Sequence, residues 1–419
     1  MNIFTYIFLI ALIGSYTVQF WLIRRQDRHV LNHRNAVPEA FKESIALAVH
    51  QKAADYTLAK NRLSRFSGGL DMILLLFFTL GGGISMIAHA WSTTEFSPII
   101  GGAGLILSIL LISQFVELPL AISHTFGVEE KFGFNRSTPG QFIVDQLLHL
   151  ALTLALGGPL VVLILWVMKD VGTLWWLLAW LILIAFYVFL TWAYPTLIAP
   201  LFNRFTVLDN EELKARIEAL LERCGFSSKG IFIMDGSRRS GHGNAYFTGF
   251  GSNKRIVFFD TLINTLNLDE VEAVLAHELG HFKRKHVIKM LISGTALSLI
   301  GLAILGWISR QDWFYSGLGV NMQSNAAALI LFVLVSPVFT VFLRPVFAYF
   351  QRRHEFEADD FASMFAQPAS LISALIKLYR DNAATLTPDP LYMAFHYSHP
   401  PAAIRIANLA GKDIAPEST

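Results

Sequence analysis

The sequence predicts a mainly α membrane protein of seven helical spans, with a small α+β domain inserted between the fifth and the sixth. Three observations carry that prediction. The 419 residues have a mean hydropathy of +0.49. Hydrophobic residues make up 54% and charged residues only 15%, where a soluble domain carries about 25% charged residues. Seven apolar runs reach the roughly 20 residues that a helix needs to cross a bilayer, and one polar stretch, from about Asn203 to His286, interrupts them. The net charge of +2 points away from nucleic acid. The single cysteine, Cys224, excludes an intramolecular disulfide and a cysteine-based zinc site.

The runs follow in order. They span about Ile3–Ile23, Leu70–Trp91, Ile99–Ile122, Phe142–Met168, Leu174–Ala193, Val287–Ile308 and Ala326–Phe350. Arg24, Arg25 and Arg28 follow the first run directly, so the positive-inside rule sets the N-terminus outside and these residues in the cytoplasm. The 24–69 loop, the 123–141 loop, the insert and the C-terminal tail then share the cytoplasmic side. Within the first loop Phe41, Ile45, Leu47, Ala48, Ala53, Leu58 and Leu63 recur at helical spacing, which predicts amphipathic helix continuing the neighbouring spans. Glu117, Asp145 and His149 lie inside or beside spans. Charge in lipid is costly, so they should face the bundle interior. Asp145 and His149 share a helix face, as a hydrogen-bonded pair or as the lining of a hydrated chamber.

The insert reads as a helix over Glu211–Cys224, a strand over Gly230–Met234, and two strands over Asn244–Phe250 and Lys254–Phe259, joined at Gly251-Ser252-Asn253. A further helix begins near Asn267, where Glu270 completes a capping-box signature. The organisation is therefore 1–203 (five spans), 204–286 (the inserted segment), 287–350 (two spans) and 351–419 (a cytoplasmic C-terminal segment).

The last helix of the insert contains His277-Glu278-Leu279-Gly280-His281. Histidines four residues apart project from one face and can share one zinc ion. Glu278 is turned about 100° from His277. There it can take a proton from a water activated by the metal without occupying the metal itself. Chance supplies roughly 0.02 such patterns in a chain of this length and composition. A catalytic zinc needs a third protein ligand and an open position. After the last span, His354, Glu355, Glu357 and Asp359 are all candidates, and spacing does not choose among them.

Several stretches together resemble the zinc-dependent CAAX prenyl endopeptidases of the yeast a-factor-converting and prelamin-A-processing type. These are distant relatives of the HtpX-like membrane proteases. The stretches are 241–247 (Gly-His-Gly-Asn-Ala-Tyr-Phe), 253–262, His277 to His281, Arg353 with Glu355-Phe356, Ala358-Asp359, and His396-Tyr397-Ser398-His399-Pro400-Pro401 with Arg405. The last is the most discriminating, because the HtpX-like branch generally lacks it. The resemblance implies a seven-helix barrel around a water-filled chamber, capped on the cytoplasmic side by the protease domain, with one zinc ion per chain. It implies Glu355 as third ligand, Asp359 as a support behind the ligands, and Asn244 on a strand that pairs with extended substrate. His399 and Arg405 would face the cleft to stabilise the oxyanion or hold substrate. The implied partners are the lipid bilayer and a peptide or protein, isoprenylated in this family, cut near its C-terminus. The bacterial inner membrane and the endoplasmic reticulum membrane are the two expected settings. An HtpX-like quality-control protease is the alternative. A transporter would hold its ligands at the bilayer midplane, whereas these lie on helix extensions beyond the spans.

Overall fold

A computed structural model describes residues 2–226, 228, 230–248 and 255–413. The expected turn at Gly251-Ser252-Asn253 lies outside the described residues, as do Asn253 and Lys254 of the 253–262 motif.

Among the described residues six helical stretches are long and apolar enough to cross a membrane, and a bent pair raises the number to seven. The first helix, Ile3–His33, begins at a capping box in which Asn2 Oδ1 accepts from the Thr5 amide at 3.2 Å and Thr5 Oγ1 accepts from the Asn2 amide at 3.2 Å. It runs past the expected end at Ile23, so the arginines at 24, 25 and 28 lie on helix. The 24–69 stretch is helical only at its two ends, as extensions of the first helix to His33 and of the second, Leu47–Phe78, down from its span; the connection between them holds a short 3-10 turn at Glu39–Phe41, so Phe41 and Ile45 of the expected stripe lie off the α-helices.

The second span differs from expectation. It breaks after Phe78 and resumes as Gly83–Ser92 at an angle of 52°. The reason is local: Gly82 sits at φ +79°, in the left-handed region that glycine enters at little cost. The remaining stretches are Pro98–Phe132, Pro139–Asp170, Gly172–Phe202, His286–Ile308 and Asn325–Phe365. Wide π turns at Thr153–Gly157 and Tyr194–Ile198 precede Pro159 and Pro200. Proline lacks the amide that would bond the carbonyl four residues back and its ring crowds that carbonyl, so a wider turn relieves both problems.

Large apolar side chains cover the outside of these helices; Phe115 is 75% exposed. A surface of this kind fits lipid contact. A buried apolar cluster that includes Phe8, Phe78, Ile109, Val167, Leu305 and Leu331 packs part of the bundle. Beside it, polar side chains line cavities. Lys60, Gln114, Glu117, His124 and Gln146 line one cavity. Tyr16, Gln19, Asp71, Glu117 and Arg344 line its neighbour. Together they form the expected chamber, and Glu117 belongs to both cavities. Asp145 and His149 are not each other's partner. Asp145 receives Arg239 Nη2 at 2.7 Å and Nε at 2.8 Å from the inserted domain, and His149 packs 4.9 Å from the Phe202 ring.

The inserted domain holds a four-stranded sheet of order β1-β2-β4-β3: β1 Phe205–Val207, β2 Ile231–Met234, β3 Ala245–Thr248 and β4 Arg255–Phe259. β1 was not expected, because three residues carry no alternation. β2 and β4 pair in parallel; β3 pairs antiparallel with β4 and forms one edge. The apolar stripe of Glu211–Cys224, through Leu213, Ile217 and Leu220, packs into the same core as Phe258 from β4 and Val271, Leu275 and Leu279 from the active-site helix, Leu268–Lys283. At roughly 25 cal/mol per Å² of apolar area, this shared core stabilises the platform on which the site is built.

Candidate active site and metal centre

The active-site helix is fixed at its start. There Asn267 Oδ1 accepts from the Glu270 amide at 2.9 Å, and Glu270 Oε2 accepts from the Asn267 amide at 2.8 Å. The buried Glu270 carboxylate also receives Ser373 Oγ at 2.6 Å and Lys377 Nζ at 2.7 Å from the helix Pro368–Asp381. The long helix Arg344–Phe365 crosses close against the histidines. Gly280 permits that approach. A β-carbon there would lie 3.0 Å from the Cα and the carbonyl oxygen of Ala358. The glycine between Glu278 and His281 is thus what lets Glu355 reach the site.

Three donors converge. His277 Nε2 lies 3.2 Å from His281 Nε2, Glu355 Oε2 lies 3.5 Å from His277 Nε2, and Glu355 Oε1 lies 3.3 Å from His281 Nε2. Ligands about 2.05 Å from a tetrahedral zinc ion stand about 3.3 Å apart, so the spacing suits that ion. Glu355 is buried, and its Oε2 makes no hydrogen bond among the described residues, with Arg405 Nη1 3.4 Å away. A buried carboxylate oxygen without a hydrogen bond is costly, and a bound cation would complete it. Among the described residues these three form the one group able to hold a metal. The other candidates are placed elsewhere: Asp359 behind His277, Glu357 against His286, and His354 stacked on the His286 ring.

Asp359 is fully buried and accepts three contacts. His277 Nδ1 lies 2.8 Å from its Oδ1, Arg405 Nη2 donates to Oδ1 at 2.6 Å, and Arg405 Nε donates to Oδ2 at 2.9 Å. Burial and the Arg405 charge both oppose a proton on His277. Asp359 and Glu355 outweigh them and raise its pKa to about 9. Burial also disfavours charge on Arg405, but the Asp359 carboxylate reverses the balance and raises its pKa.

Glu278 is half-buried and faces the cleft beside His277. The cleft runs between β3 on one side and the segment 396–405 on the other. Asn244 stands at its rim, exposed, immediately before β3. His399 brings Nε2 to 3.4 Å from Glu355 Oε1, and its Nδ1 meets Ser398 Oγ at 2.9 Å. Burial, opposed by Glu355, lowers the His399 pKa and favours the neutral ring. Arg405 lines the cleft as well, but two of its nitrogens are spent on Asp359 and Nη1 lies 3.4 Å from Glu355. Its guanidinium therefore braces the donors more directly than it faces the cleft.

Sequence reasoning missed a set of polar residues behind the Asn244 rim. Asn382 Oδ1 accepts from the Gly243 amide at 3.0 Å, and its Nδ2 donates to the Gly243 carbonyl at 3.3 Å. His242 Nδ1 lies 3.3 Å from the same Asn382 oxygen and its Nε2 lies 3.2 Å from Glu129 Oε2. Tyr56 Oη donates to Glu129 Oε1 at 2.5 Å. His242 stood in a quoted motif; Asn382 lies just past a helix end, with nothing in its neighbourhood to single it out.

A membrane-embedded helical chamber, a small protease domain and a His-His-Glu donor group beside a glutamate define an integral membrane zinc metalloendopeptidase. A family model described as CAAX prenyl protease N-terminal, five membrane helices, matches residues 26–204, and that of peptidase family M48 matches residues 207–413. The chain belongs to the CAAX prenyl protease group of peptidase family M48. It is 32% identical to CAAX prenyl protease 1 of Saccharomyces cerevisiae over 95% of this chain and 93% of the relative. To the human CAAX prenyl protease 1 homolog it is 31% identical, over 96% of this chain and 95% of the relative. The crystal structure of S. mikatae Ste24p superposes with a TM-score of 0.91 at 31% identity, covering 98% of this chain and 99% of that one. The HtpX-like alternative is not favoured: the five-helix N-terminal match and near full-length similarity both lie with the CAAX prenyl protease type.

Proposed function

We propose that this chain hydrolyses a peptide bond near the C-terminus of isoprenylated CAAX-type proteins or peptides, on the cytoplasmic face of its membrane. That membrane is the bacterial inner membrane or the endoplasmic reticulum membrane. His277, His281 and Glu355 hold one zinc ion, and Asp359 fixes His277 from behind. Zinc, when bound, supplies a Lewis acid that polarises the scissile carbonyl and acidifies a water. Glu278 takes the proton from the attacking water and passes it to the leaving amine, so one water is consumed and a carboxylate and an amine leave. Asn244 and the free edge of β3 align the substrate as an added strand. His399 presents Nε2–H towards the oxygen on which negative charge develops, and Arg405 adds its charge through Glu355 and Asp359.

The observation that carries the reading is the cleft itself. His277, Glu355 and Glu278 line it, with His281 grouped beside the first two, and an edge strand and the His399 segment form its walls. Segments 204–286 and 351–419 together make the protease unit, and the spans 1–203 and 287–350 make the chamber. Mass spectrometry of products from one peptide, with and without a farnesyl group on its cysteine, tests the substrate. The prenylated peptide should lose its last three residues, and much faster than the bare one. Equal rates on both peptides, or cuts scattered along them, would contradict the substrate assignment.

A further inference from the structure

The two histidines of the donor group are held from behind in different ways. His277 Nδ1 meets a carboxylate directly, Asp359 at 2.8 Å. His281 Nδ1 meets another imidazole: His286 Nδ1 lies 3.0 Å away. His286 is buried, and its second nitrogen, Nε2, lies 3.0 Å from Glu357 Oε2. The His354 ring stacks on it at 4.1 Å between centroids and 13° between planes. The chain places His286 there by a strained turn. Lys285 adopts φ 58° and ψ 33°, a left-handed conformation that costs a non-glycine residue of order 1 kcal/mol. This residue separates the active-site helix from the helix His286–Ile308 and folds the His286 ring back onto His281.

The hydrogen bonding admits one arrangement once His281 binds a metal. Its Nε2 points at His277 and Glu355 and must offer a lone pair there, so its hydrogen sits on Nδ1. That hydrogen needs an acceptor, and the facing Nδ1 of His286 provides one only if His286 carries its own hydrogen on Nε2. Glu357 accepts from that Nε2. The carboxylate thus sets the tautomer of His286, and His286 sets the tautomer of His281. Glu357 lies two residues beyond Glu355 on the same helix, so one helix supplies a donor and the far end of the chain that orients another.

We propose that Glu357 and His286 form a relay that positions His281 for zinc, equivalent in effect to the direct contact of Asp359 with His277. His286 is a positioning residue, and the proposal rests on the reading of His281 as a zinc ligand. The test is zinc affinity of the full-length purified protein, measured by competition with a fluorescent zinc chelator. His281→Ala should lose most of its affinity. His286→Phe fills the space without an acceptor and should weaken binding by about 10- to 100-fold, the usual cost of losing such an outer partner. His286→Asn, whose Oδ1 can stand where Nδ1 stood, should recover affinity to within about threefold of wild type under the same hydrogen-bond logic. Glu357→Ala, at a less buried position, should also weaken binding. Wild-type affinity in both His286→Phe and Glu357→Ala, with affinity lost in His281→Ala, would overturn the relay alone. Wild-type affinity in His281→Ala would overturn the ligand assignment and the relay with it. Equal losses in His286→Phe and His286→Asn would show that packing, not the acceptor, matters, and would also overturn the relay.

Discussion

At the scale of single residues, the site is a competition between a proton and a metal for the same lone pairs. With its pKa raised to about 9 by Asp359 and Glu355 against burial, His277 holds a proton through neutral pH when no metal is bound. The sign follows: zinc must displace that proton, so apparent zinc affinity should fall as pH drops below about 9, by about tenfold per unit from this group. Chelator competition across pH 6 to 9 checks this, and a flat profile would contradict it. The His277-Glu278-His281 pattern was legible in the sequence because the helical period alone sets its geometry. Glu355 was not selectable by spacing, since His354, Glu357 and Asp359 crowd the same turn, and only the resemblance chose it. Arg405 was expected to face the cleft. Its bidentate hold on the buried Asp359 was invisible, because the two residues lie 46 positions apart.

At the scale of elements, two helices make the site by touching. Gly280→Ala would drive a methyl against the Ala358 backbone at 3.0 Å. Backbone cannot swing aside as a flexible side chain can, so the helices should part by a few tenths of an ångström and carry Glu355 away. The expected cost is about 1–3 kcal/mol of stability, with zinc affinity reduced; thermal unfolding with and without added zinc measures both. An unchanged melting temperature and affinity would show that the close approach is unnecessary. Asn382 acts on the other wall by holding both the amide and the carbonyl of Gly243 just before β3. Asn382→Ala should raise KM for peptide substrates more than it lowers kcat, since the zinc donors are untouched; a pure kcat effect would argue against a role in aligning substrate. Hydropathy found the spans, and short apolar runs, two of them joined by a hairpin signal, found β2, β3 and β4. The 52° break after Phe78 escaped because window hydropathy sums composition and does not register a left-handed glycine.

At the scale of the whole molecule, the protease unit and the bundle are joined by specific ion pairs. Asp389 is buried, caps the helix Pro390–His396 through the Leu391 and Tyr392 amides, and receives Arg25 Nε at 2.8 Å from the first membrane helix. Asp145 of the bundle pairs with Arg239 of the inserted domain at 2.7 Å. The first contact fixes the helix that leads into the His399 segment. Asp389→Ala removes a cap and leaves the half-exposed Arg25 to solvent, with an expected loss of about 1–2 kcal/mol. It should also lower activity by loosening the wall of the cleft. A differential melt in detergent with a parallel peptide assay reads both effects, and full stability with full activity would contradict the coupling. These contacts join residues 94 and 364 positions apart, so no local pattern announces them. The span count was legible because lipid imposes its own long, apolar signature, whereas the chamber was expected from the resemblance and from ionisable residues within the spans.

In the proposed mechanism, zinc at His277, His281 and Glu355 works with Glu278 as the base. Zinc content and cleavage of a farnesylated CAAX peptide, measured side by side for purified wild type and Glu278→Gln, test this. Both proteins should hold about one zinc per chain, and kcat should fall at least about a hundredfold in the variant. A Glu278→Gln enzyme that retains zinc and cuts at the wild-type rate would contradict it.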